Sequence, residues 1–85
     1  MKKILIVEDD VSIRNELQKL LVNSGYETIV MDNFENQIEF ILESKADLIL
    51  LDINIPILNG EMVLKELRKK SDVPVIMVTS RTSEV

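Results

Sequence analysis

Three acidic side chains close two aliphatic runs. Glu8 and Asp9 follow Ile4-Leu5-Ile6-Val7, and Asp52 follows Leu48-Ile49-Leu50-Leu51. If both runs are strands lying side by side and parallel, the three carboxylates share one pocket. Clustered carboxylates repel one another and call for a cation. A carboxylate beside a divalent cation can also act as a nucleophile toward phosphorus. Taken singly, these residues carry less. Glu8-Asp9-Asp10 alone reads as a solvated turn followed by a helix cap, with Asp10 as the cap. Asp52 alone reads as a turn residue ahead of Pro56. Only their joint placement at neighbouring strand ends favours a shared site.

Composition narrows the chemistry further. The chain has 85 residues, enough for one small domain with a marginal core. Hydrophobic residues make up 46%, too many for a disordered chain. The absence of cysteine excludes disulfides, thiolate zinc sites and cysteine nucleophiles. The absence of histidine excludes a histidine-based triad or metal ligand within the chain. A net charge of −5 disfavours direct nucleic-acid binding, which needs a basic surface, but leaves phosphate binding through a metal open. No apolar run approaches membrane-spanning length, and the one after Met1-Lys2-Lys3 is too short for a signal peptide. The chain therefore reads as soluble and cytoplasmic, with no membrane partner.

The elements that must position the acids alternate in kind. Residues 4–7 are continuously aliphatic, as in a strand covered on both faces. Residues 10–24 take a helical period, with Ile13, Leu17, Leu20 and Leu21 in one stripe, Asp10 at the start and Gly25 after the end. Residues 27–31 read as a second, weaker strand. Asp32 with Glu35 resembles a capping box for a helix carrying Phe34, Ile38, Ile41 and Leu42. Residues 47–51 are a third strand, and 54–60 a loop holding Pro56 and Gly60. Residues 61–70 form a third helix whose last turn, Arg68-Lys69-Lys70, suits the negative end of its dipole and reads as a solvated helix end. Residues 73–78 are a fourth strand with Pro74 near its beginning.

This βαβαβαβ alternation predicts a parallel sheet with helices on both faces, and right-handed crossovers leave a few topologies. In the order 2-1-3-4, strands one and three are neighbours and their carboxyl ends flank the point where the winding reverses, which is where such sheets bind ligands. Nothing suggests a linker, a repeat beyond the βα rhythm, or a second domain, so residues 1–85 are taken as one domain.

At these residues the chain resembles the receiver domain of two-component response regulators. Four features match in order: the pair Glu8-Asp9 after strand one, Asp52 at the end of strand three, the pattern Asp-x-Asn-x-Pro-x-x-x-Gly from Asp52 through Asn54 and Pro56 to Gly60, and Thr79-Ser80 after strand four. The resemblance runs from Lys3 to about Ser80. It implies a CheY-like, flavodoxin-like doubly wound sheet of order 2-1-3-4. It also implies a phosphoprotein of a phosphorelay, acting in signal transduction and transcription regulation without being an enzyme in its own right. Asp52 would accept a phosphoryl group from a phosphohistidine on a sensor histidine kinase. Asp9 and Asp52 would ligate Mg2+ directly, Glu8 through a metal-bound water, and Asn54 through its backbone carbonyl. Thr79 would bond a phosphoryl oxygen and move toward it as the switch, and Ser80 would be small so that the phosphoryl group can enter.

Measured against that family, the chain ends at Val85, before the final helix-strand-helix, its lysine and its aromatic switch residue. It is therefore expected to be an incomplete receiver, truncated after the fourth strand, whose own phosphorylation is impaired. Its fourth strand would be a bare edge open to self-association. The parent is expected to be a homodimer with a C-terminal DNA-binding domain outside this chain. Two rival functions stand beside this one. A haloacid-dehalogenase-like phosphohydrolase also uses an aspartate after an aliphatic strand with Mg2+, but it wants a second Asp where this chain has Asn54. A protein-interaction module could retain the acidic pocket without being phosphorylated.

Overall fold

The computed structural model of the chain describes residues 2–31, 34–53 and 59–78. Seven elements follow one another: β1 Lys3–Val7, α1 Val11–Asn23, β2 Glu27–Val30, α2 Gln37–Ser44, β3 Leu48–Asp52, α3 Gly60–Arg68 and β4 Val75–Val78. The strands form one parallel sheet in the order β2-β1-β3-β4, as the alternation and the resemblance imply. β1 lies inside this sheet, which explains its unbroken aliphatic run: Leu5, Ile6 and Val7 are all buried, so neither face tolerates a polar residue.

The two faces of the sheet are covered differently. Leu5, Val7, Ile49 and Leu51 point to one face and form a core with Ile41 of α2 and with Val63 and Leu67 of α3. Ile4 and Ile6, of opposite parity, are buried outside that cluster. α1 packs against β1 and β2 and contributes no fully buried residue. Ile76 on β4, at the edge of the described sheet, is 49% exposed.

Helix ends follow local chemistry where the structure describes it. Asp10 Oδ1 accepts the Ile13 N–H at 3.1 Å and starts α1. Gly25, at φ 96°, reverses the chain after α1, and the Tyr26 N–H reaches the Leu21 carbonyl at 3.0 Å. Asn59 caps α3 by accepting the Met62 N–H at 2.9 Å. Lys69 and Lys70 stand beyond the last residue of that helix.

Several expectations need correction. Leu20 does not belong to the buried stripe of α1: it is 61% exposed. The half-buried side is Ile13, Arg14, Leu17, Gln18 and Leu21, a face centred near Leu17 and Leu21, and Gln18 Nε2 donates to Thr28 Oγ1 of β2 at 3.1 Å. The second helix starts later than a capping box at Asp32 and Glu35 would place it. Its N-cap is Asn36, which makes no side-chain capping bond, and Phe34 packs on the core from ahead of the helix while its carbonyl accepts from Gln37 Nε2 at 2.9 Å. Asp32 lies outside the described residues. β3 runs one residue later than expected: Asp47 instead pairs with Lys3 through its N–H at 2.7 Å and its Oδ2 at 2.8 Å, and Asp52 joins the strand. β4 begins only at Val75, because Pro74 has no N–H to give the ladder, although its carbonyl accepts from Ile49 at 3.0 Å.

Candidate functional site

Parallel register places the acids. Val7 stands opposite Leu51, so the next residues along, Glu8 and Asp52, come level at the carboxyl ends of neighbouring strands. The alternation that turns Val7 and Leu51 into the core turns Glu8 and Asp52 the other way. Glu8, Asp9 and Asp52 each offer a carboxylate oxygen within 4.8 Å of the others. Glu8 is 1% exposed and Asp52 0%, whereas Asp9 is exposed, so the cluster meets solvent through Asp9.

The main chain around the cluster is held from several sides. The Asp10 N–H donates to Glu8 Oε2 at 3.1 Å while the Asp10 side chain caps α1, so the first turn of the helix orients Glu8. Asp52 pairs with Val78 of β4, and the following Ile53 N–H donates to the Val78 carbonyl at 3.0 Å. On the other side, the Gly60 N–H donates to the Ile53 carbonyl at 2.7 Å.

Electrostatics mark the cluster as costly by itself. Burial pushes the Glu8 carboxyl up from its ordinary 4.5 to about 7; the Asp10 N–H pulls it down, and the charge of Asp52, a hydrogen bond shared with Asp52 and the charge of Asp9 push it up. Glu8 Oε1 is buried and meets no hydrogen-bond donor among the described residues. Two carboxyls can share a hydrogen bond only while one holds a proton. With both ionised, a cation is the natural replacement for that proton. The donor set is all oxygen and mixes buried with exposed carboxylates, which suits a hard divalent cation that keeps some of its water. The residues present thus fit a bound metal.

Glu8, Asp9 and Asp52 are brought together as expected. Asn54, Thr79 and Ser80 lie outside the described residues, as does Pro56. Two local contributions went unread in the sequence. The Asp10 N–H on Glu8 carries no residue-type signal, since any non-proline residue has that group. Gly60 enters the sequence reading as part of the 54–60 loop and as the last position of the Asp-x-Asn-x-Pro-x-x-x-Gly pattern, with no chemical role of its own. The Asp52-to-Gly60 spacing marks the glycine but not what it touches.

Comparison with known proteins agrees with this geometry. A family profile described as "Response regulator receiver domain" matches residues 4–85. The transcriptional regulatory protein YxdJ of Bacillus subtilis is 39% identical over 85 residues, covering 100% of this chain and 37% of that protein. The sensory transduction protein RegX3 of Mycolicibacterium smegmatis is 42% identical over the same length, with the same coverage. The chain therefore spans 37% of the length of these curated relatives. Among solved structures, the response regulator TrrA of Thermotoga maritima, crystallised with Mg2+ and BeF, superposes with a TM-score of 0.85 at 36% identity, covering 96% of this chain and 72% of that one. TrrA has also been crystallised in complex with the histidine kinase ThkA. The BeF3-activated receiver domain of Klebsiella pneumoniae RstA superposes with a TM-score of 0.87 at 30% identity, covering 98% of this chain and 71% of that one.

Proposed function

This chain belongs to the response regulator receiver domain family, and on that premise we propose that Asp52 is its phosphoacceptor and that Glu8, Asp9 and Asp52 hold a Mg2+ ion. The observation that carries the reading is the meeting of three carboxylates at the ends of β1 and β3. An Asp52 carboxylate oxygen attacks the phosphorus of a phosphohistidine on a sensor kinase. The O–P bond forms as the P–N bond breaks and its electron pair goes to the ring nitrogen; with the other ring nitrogen protonated, the donor leaves as neutral imidazole and an acyl phosphate stays on the protein. Mg2+, when bound, offsets the repulsion between the anionic nucleophile and the anionic phosphoryl group. Glu8 and Asp9 supply the remaining negative charge that holds the ion, and the Asp10 N–H keeps Glu8 turned inward. By family resemblance, Asn54 adds a backbone carbonyl ligand, Thr79 acts as the switch and Ser80 leaves room for the phosphoryl group.

The domain is a phosphoacceptor that passes a signal on, not a turnover catalyst. Longer relatives such as the transcriptional regulatory protein YxdJ support an output in transcription, and we assign that output to a C-terminal DNA-binding domain of a longer, homodimeric protein. No described helix is long and apolar enough to cross a membrane, and we place the domain in the cytoplasm beside its kinase. In the intact protein, incubation with a small acyl-phosphate donor and Mg2+ adds the mass of one phosphoryl group, and Asp52→Asn removes the gain. Labelling that persists in Asp52→Asn refutes the assignment. Steady hydrolysis of a phosphate ester would instead favour the phosphohydrolase.

A further inference from the structure

We propose that Gly60 is a positioning residue for the phosphoacceptor. Its missing side chain lets α3 begin directly against the peptide that follows Asp52, and so sets where the Asp52 carboxyl stands toward Glu8 and Asp9. The inference rests on the reading of Asp52 as acceptor and ion ligand.

A β-carbon at Gly60 would collide with the Asp52 carbonyl oxygen and stand 2.8 Å from Ile53 Cα and 3.1 Å from the Asp52 carbonyl carbon. All three are main-chain atoms and cannot swing aside as a flexible side chain would. The contact is reinforced by the Gly60 N–H on the Ile53 carbonyl at 2.7 Å. From the other side, the Ile53 N–H is bound to the Val78 carbonyl, so this peptide is clamped between α3 and β4. α3 cannot simply retreat, because Val63 and Leu67 anchor it in the core at 0% exposure. A side chain at position 60 would therefore displace the main chain of Asp52, and with it the carboxylate that must stay within 4.8 Å of its two neighbours.

Space, not backbone conformation, is what Gly60 supplies. Gly25 is the contrast: its φ of 96° requires glycine, yet nothing lies within 4 Å of where its β-carbon would be. In a helix without the collision, glycine to alanine raises stability. The two glycines thus separate damage to the site from damage to the fold.

The test compares wild type, Gly60→Ala and Gly25→Ala in the intact protein, with folding followed by circular dichroism, Mg2+ affinity by calorimetric titration and labelling of Asp52 by mass. Gly60→Ala is expected to weaken Mg2+ binding by about tenfold or more and to slow labelling. Gly25→Ala is expected to lower thermal stability and leave the Mg2+ affinity unchanged. A folded Gly60→Ala that binds Mg2+ within about twofold of wild type overturns the inference, since a displaced ligand costs more than that. Should Gly60→Ala not fold, the wild type decides by nuclear magnetic resonance: on saturation with Mg2+ the Gly60 amide signal shifts and that of Gly25 does not. A Gly60 signal that stays in place overturns the inference. A wild type that neither binds Mg2+ nor takes label refutes the acceptor reading itself, a result distinct from either failure above.

Discussion

Asp9 and Asp10 are adjacent, both exposed and chemically identical, yet their surroundings assign them different work. Asp10 Oδ1 is committed to the first turn of α1, bound to the Ile13 N–H. Asp9 places a carboxylate oxygen in the cluster with Glu8 and Asp52. Asp9→Asn is accordingly expected to weaken Mg2+ binding far more than Asp10→Asn, because it removes a charged ligand, while asparagine caps a helix about as well as aspartate. Calorimetric titration of the two variants makes the comparison, and equal losses would mean that the ligand set is wrongly chosen.

The elements carry the site because their termini converge on it. α1 starts beside Glu8, β3 ends on Asp52, and α3 starts against Asp52 and Ile53. The start of α3 is secured by Asn59, whose side chain takes the Met62 N–H. Asn59→Ala leaves that donor unpaired and is expected to cost about 1 kcal/mol of folding stability. A urea unfolding series reads this as a lower midpoint with unchanged slope. An unaltered midpoint would show that solvent satisfies the helix start as well as Asn59 does.

For the whole molecule, the buried acids tie stability to pH and to metal. Glu8 has a folded value near 7 against an ordinary 4.5, so between these values the folded protein binds a proton that the unfolded chain has released. Without Mg2+, the stability that Glu8 contributes is fully present below about 4.5 and is lost as pH rises through about 7. The loss is on the order of 1–3 kcal/mol. Glu8→Gln, which cannot ionise, is expected to flatten this part of the profile. Mg2+ favours the ionised form, so the stabilisation it confers grows with pH over the same window. Thermal melts with and without Mg2+, on either side of that window, show both effects. A Mg2+ increment that does not change with pH would separate the ion from Glu8.

Local signals in the chain announce most of the architecture. The aliphatic runs of β1 and β3, the cap at Asp10, the glycine after α1 and the acids at two strand ends are each visible over a few residues, because a covered strand, a helix start and a chain reversal impose local demands. Where such a demand is weak, the reading slips. α2 ends at Lys45 in a left-handed turn with φ 54°, a position where no glycine gives warning, and Leu20 fits a helical period yet faces solvent. The meeting of Glu8 with Asp52, 44 positions apart, and the seating of Gly60 on the main chain of Asp52 belong to another level. Strand register and helix docking set those contacts. Both come from packing Leu5, Val7, Ile49, Leu51, Val63 and Leu67 together in one core, and no short stretch of residues encodes such a cooperative fit.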